Sequence, residues 1–164
     1  MEKKIVVNLF KGFNLVVITI STTLATIIMF YTLSTISTHS KLLTYLVLLF
    51  TLTPLHELMH YISIKLLRYR CMFFYEFLIT GFVVHDLLKL KHLITILLIP
   101  QVLTITYMIL YIVFNDFTYL SIATIHFLIS IGDLLQVFYI VYYVFKFGRF
   151  RIVDTVYGFE IVLN

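Results

Sequence analysis

Charge is scarce in this chain. Only 12% of its 164 residues are charged, whereas 62% are hydrophobic. A soluble domain of this length leaves roughly half of its residues facing water, and too few polar side chains are present for that. Lipid is itself an apolar solvent and accepts such a composition, so the scarcity of charge excludes a soluble globule and points to a bilayer. Cysteine is nearly absent too. The single Cys71 excludes an internal disulfide framework and a cysteine-based metal site, and reads as a small apolar side chain. Internal repeats and low-complexity linkers are also missing, so residues 1–164 read as a single membrane-embedded domain. The net charge of +4 does not indicate nucleic acid, because Lys and Arg fall in short clusters between apolar runs and form no continuous basic face.

What is abundant is apolar sequence in long runs. Four segments, at about 12–36, 42–67, 93–114 and 117–145, each approach or exceed the roughly 20 residues that cross a bilayer as a helix. The first follows Lys3, Lys4 and Lys11; it is too long for a signal-peptide core and lacks a small-residue cleavage site, so it reads as an anchor. Lys65, Arg68, Arg70, Lys89 and Lys91 lie between the second and third segments, and Lys146, Arg149 and Arg151 follow the fourth. The two remaining connections carry only Lys41, Asn115 and Asp116. Four crossings put every basic cluster on one side, and the positive-inside bias then places both termini in the cytoplasm.

Two stretches depart from the helical pattern. Residues 68–91 are rich in aromatic and β-branched side chains, with Thr80-Gly81 as a turn signal, and predict a cytoplasmic-side hairpin. The tail RFRIVDTVYGFEIVLN alternates polar and apolar residues around Tyr157-Gly158 and predicts a second short hairpin. The expected fold class is an all-α membrane protein: a four-transmembrane-helix bundle with a small β-hairpin between helices 2 and 3 and a short C-terminal cytoplasmic hairpin.

The second apolar segment contains HELMH, His56 to His60. Residues four apart share a helix face, so His56 and His60 can reach one metal ion, with Glu57 beside them. A hydrolytic zinc site needs one more protein ligand and an open position for water. Zinc lowers the pKa of that water, and Glu57 can accept its proton as general base and pass it to the leaving amine. Two His and a Glu on one turn of an apolar helix are costly unless they bind something or pair, which separates a functional cluster from a structural one. The candidate third ligand is Asp133 in SIGDLLQV. The second and fourth segments run the same way, and His56 and Asp133 each lie about 15 residues in, roughly 22 Å at 1.5 Å per residue. Gly132 is expected to give room for close helix approach.

Other polar residues fit less well. Glu76, His85 and Asp86 fall on the hairpin, near water. Asp116 lies at the external end of its helix. His126, seven residues before Asp133, is expected about 10 Å shallower, as a packed or hydrogen-bonded histidine or on a water path. Pro100 is expected at the depth of HELMH, where it frees a backbone carbonyl near the site.

HELMH, the proline in ILLIPQ, SIGD and the final VDTVYGFEI together resemble the small putative zincin peptidases, a family of prokaryotic membrane proteins, from about Leu52 onward. The pattern is also similar to the core of site-2 intramembrane metalloproteases, where HExxH on one helix and an aspartate two helices later hold zinc. The resemblance implies His56, His60 and Asp133 as ligands of one Zn2+ ion and Glu57 as the catalytic residue. One departure is that Gly132 precedes Asp133 and leucine follows, whereas the site-2 enzymes carry a longer Asp-Gly signature. The expected activity is a zinc-dependent intramembrane endopeptidase acting on a membrane protein or peptide within the bilayer, with no nucleic-acid partner. The competing readings are a non-enzymatic membrane zinc sensor or partner protein and, last, a transporter. The charged groups form one cluster and not a chain of sites across the membrane, which ranks transport lowest.

Overall fold

A computed structural model describes residues 3–76, 79–86, 88–148, 150–155 and 158–163. The chain runs β1 (Lys3–Asn8), α1 (Gly12–Thr35), α2 (His39–Leu66), β2 (Cys71–Glu76), β3 (Ile79–Val84), α3 (Leu90–Leu98), α4 (Gln101–Phe114), α5 (Phe117–Ile129), α6 (Ile131–Phe147), β4 (Arg151–Thr155) and β5 (Gly158–Leu163). Gly12–Thr35, His39–Leu66 and Leu90–Phe114 are each long and apolar enough to cross a membrane. The pair α5 and α6, bent by 49°, adds a fourth crossing if taken as one. Several long apolar helices make this a multi-pass membrane protein.

The four expected apolar segments form helices, with two breaks. The third is interrupted at Ile99-Pro100, because proline has no N–H to give and its ring opposes the preceding turn. The fourth is not one rod but two helices meeting at Ser130. Hydroxyls inside the apolar helices are satisfied locally: along α1, Thr19, Thr22, Thr23 and Thr26 each donate to the carbonyl four residues back. Such bonds let a Ser/Thr-rich helix enter lipid without orphaned donors.

The all-α expectation is corrected to a mostly helical fold with two small sheets. β2 and β3 form the expected antiparallel hairpin, but Thr80 and Gly81 lie within β3 and not in the turn; the connection at 77–78 is outside the described residues. The C-terminal hairpin pairs β4 with β5, its turn at 156–157 being outside the described residues. Gly158 opens β5 and does not close the turn. The sequence reading missed β1, which pairs along β5 to give the order β1-β5-β4. Gly158 has φ +145, and a Cβ there would run into the Val7 carbonyl, so only glycine permits the two strands this approach.

Two apolar cores bracket the molecule. One joins the strand end, with Ile64, Val84, Ile96, Ile140, Ile152 and Phe159. The other joins α1, α2, α4 and α5 through Ala25, Tyr45, Leu52, Tyr107 and Ile122. On α2 the stripe Leu52, His56, His60, Ile64 proceeds in steps of four, so one helix face passes from one core to the other through the two histidines.

Candidate metal centre

His56, Glu57 and His60 share one turn of α2, and α6 brings Asp133 to them from its first turn, three residues past the Ser130 bend. His56 Nε2 and His60 Nε2 are 3.1 Å apart. Asp133 Oδ2 lies 3.2 Å from the first and 3.3 Å from the second. A tetrahedral ion with ligand arms of about 2.1 Å sets its donors about 3.4 Å apart, so these three atoms are spaced as one face of such a tetrahedron. Asp133 Oδ2 is buried and, despite both nitrogens beside it, makes no hydrogen bond of acceptable geometry. An orphaned, buried carboxylate oxygen costs several kcal/mol unless a cation accompanies it. The donor set is the His/carboxylate type that suits zinc, and the cluster could hold a metal ion.

The proline in the third span explains how His60 is aimed. In an unbroken helix the Ile96 carbonyl would receive the N–H of residue 100, and Pro100 has none. That carbonyl instead accepts from His60 Nδ1 at 2.9 Å. A carbonyl can only accept, so Nδ1 carries a proton, and in the neutral ring Nε2 presents its lone pair toward His56 and Asp133.

Glu57 projects into a cavity of about 260 Å³ together with both histidines and Asp133. Its Oε2 is buried without a hydrogen-bond partner. The hairpin lies against it: a Cβ on Gly81 would meet the Phe74 ring at 3.1 Å and come within 3.8 Å of that oxygen. Phe82, Gln136, Asp154 and Thr155 also border the cavity, so the walls come from β3, β4 and α6 as well as α2. Gly132 borders it too. An added Cβ there meets nothing within 4 Å, so the expected close helix approach at Gly132 is not found; the glycine faces open space.

The remaining sequence candidates divide clearly. Asp86 braces the base of the hairpin, accepting from the Arg70 backbone N–H at 2.7 Å and pairing with its guanidinium at 3.0 Å. Those Arg70 contacts hold the Asp86 carboxyl below its ordinary pKa. Exposed His85 is next to it, away from the cavity. The Glu76 side chain is outside the described residues. Asp116 caps α5 through Thr118 N–H at 2.9 Å and pairs with Lys41 at 3.1 Å. His126 is packed and hydrogen-bonded: it is fully buried, and its Nε2 lies 3.2 Å from His56 Nδ1. His126 and Asp133, on either side of the 49° bend between α5 and α6, flank His56.

Sequence reasoning passed over Asp154. It lines the cavity from β4, and its Oδ2 accepts the Val84 N–H of β3 at 2.9 Å. Burial pushes its carboxyl up to about 7, against the pull of the Val84 and Thr155 N–H groups. A carboxylate in an otherwise alternating tail was its only signal.

Residues 49–146 match the family model described as Putative zincin peptidase. No curated protein and no solved structure matches the chain. The match covers HELMH, Pro100, His126 and Asp133 but leaves VDTVYGFEI outside it. It spans more than half of the chain, which therefore belongs to this family.

Proposed function

We propose that this member of the Putative zincin peptidase family is a zinc-dependent intramembrane endopeptidase. The observation that carries the reading is the convergence of His56 Nε2, His60 Nε2 and Asp133 Oδ2 within 3.1–3.3 Å of one another, with Glu57 in the same cavity. Bound zinc would supply Lewis acidity, making water more acidic and a substrate carbonyl more electrophilic. Glu57 takes the proton of the attacking water on its unpartnered oxygen and returns it to the departing amine.

The substrate would be a membrane-spanning peptide, locally unwound. The ladder between β2 and β3 supports a way of holding it. His85 N–H bonds the Arg70 carbonyl at 3.1 Å, and by alternation the N–H and C=O groups of Phe82 and Val84 turn away from β2. Asp154 takes Val84, while Phe82 flanks the cavity, so an extended substrate segment can add along this edge. The basic residues at the strand end support a cytoplasmic location for both termini.

The test is Glu57→Gln in purified full-length protein reconstituted in lipid. Zinc content by elemental analysis should stay near one per chain, while cleavage of a library of transmembrane peptides falls at least 100-fold. Undiminished cleavage would remove Glu57 from the chemistry. A zinc-filled wild type that cleaves no peptide and excludes a hydroxamate probe would instead favour the sensor reading.

A further inference from the structure

His56 has its own anchor, and it is a chain of five hydrogen bonds. Ser130 Oγ donates to the Phe127 carbonyl at 3.1 Å. Its single proton is thereby used, so it accepts from Gln101 Nε2 at 2.7 Å. That bond fixes the orientation of the Gln101 amide, and its Oε1 accepts from Thr104 Oγ1 at 3.2 Å. The Thr104 proton is now committed too, so the hydroxyl accepts from His126 Nδ1 at 2.7 Å. A neutral imidazole protonated on Nδ1 is an acceptor at Nε2. His56 Nδ1, 3.2 Å from that atom, must therefore be the donor. The proton of His56 is thus placed on Nδ1, and its Nε2 is left bare toward His60 and Asp133.

The direction of every bond follows from groups outside the His56–His60–Asp133 cluster, ending at a backbone carbonyl, without assuming any ion at the centre. We infer that His126, aligned by Thr104 and Gln101, is the positioning residue that presents His56 Nε2 unprotonated to the metal. The inference rests on the reading of the cluster as a metal site and adds a residue that neither HELMH nor Asp133 reveals. It also assigns a task to the α4–α5 contact: α4 starts at Gln101, directly after Pro100. One proline thus ends the helix that anchors His60 and starts the helix that, through Gln101 and Thr104, anchors His56.

Zinc affinity tests this, measured on the full chain in detergent by competition with a chromogenic chelator. His126→Leu keeps the volume but removes the acceptor, and the dissociation constant should rise ten- to a hundredfold, as for other partners of metal-bound histidines. His126→Gln offers a carbonyl oxygen in place of Nε2 and should recover most of that loss. Thr104→Val should weaken binding by a smaller factor, because His126 can then turn over its tautomer. Cobalt substitution reads the geometry independently: the visible bands should change in His126→Leu and return in His126→Gln. Wild-type affinity in folded His126→Leu, or equal losses in the Leu and Gln variants, would overturn the inference and leave the metal site standing. A wild-type chain that takes up no zinc would overturn both.

Discussion

At the scale of residues, the centre is defined by where protons can and cannot be. Two imidazoles each give their Nδ1 proton to an acceptor behind them, His60 to the Ile96 carbonyl and His56 to His126. The front of the cluster is left with the two Nε2 lone pairs and the Asp133 carboxylate, whose Oδ2 has no hydrogen-bond partner. Pro100 is central to this arrangement, and its role can be separated from helix stability. Pro100→Ala supplies an N–H that reaches back to Ile96 and competes with His60 Nδ1. Helix geometry should improve, since an interior proline disfavours a helix by about 3 kcal/mol. Zinc affinity should nevertheless fall about tenfold through the loosened ring. Chelator titration beside a thermal melt checks both halves, and an unchanged dissociation constant would remove the carbonyl from the design.

At the scale of elements, the two sheets wall the cavity and are stitched to each other. Leu88 bridges to Ile152, and Asp154 holds Val84. This latch should be sensitive to pH. Burial raises the Asp154 carboxyl to about 7, so between its ordinary value near 4 and that point the folded chain binds a proton that the unfolded chain has released. Its contribution to stability is present in full below about 4 and is lost as pH rises through about 7. Asp154→Asn keeps an acceptor for Val84 and removes the titration. Its melting temperature should therefore fall less than that of the wild type between pH 5 and pH 8. Parallel curves for the two proteins would contradict the assignment. The bend between α5 and α6 is the other decisive element, because it sets Asp133 at the start of a helix beside His56.

At the scale of the whole molecule, β1 pairing with β5, and β4 meeting β3, gather the first and last strands and the strands β2 and β3 at one end. Ser37 and the Asn115-Asp116 turn lie at the other, between α1 and α2 and between α4 and α5. Such a closure fits the proposed even number of crossings, with α5 and α6 taken together as one. With Cys71→Ser as background, Ser37→Cys and Asn115→Cys should react in intact cells with a membrane-impermeant maleimide. Arg68→Cys and Gly148→Cys should react only after lysis. The reverse pattern would invert the proposed orientation.

Much of this was legible in the sequence, where the information is local. Hydropathy sets four apolar runs, charge asymmetry supports the proposed direction, a step of four aligns His56 with His60, and equal expected depth points to Asp133. The fourfold spacing of Pro100 from Ile96 even gives away a free carbonyl. What the sequence could not disclose is non-local. β1 finds its partner some 150 residues away, and a six-residue strand without clear alternation carries too weak a pattern to announce that pairing. The bend at Ser130 arises between two individually ordinary helices, and the route from Ser130 through Gln101, Thr104 and His126 to His56 crosses three elements. Hydrophobic burial follows composition and period, and so can be read along the chain. Hydrogen-bond direction depends on which donors and acceptors meet within about 3 Å, and only the tertiary structure decides that.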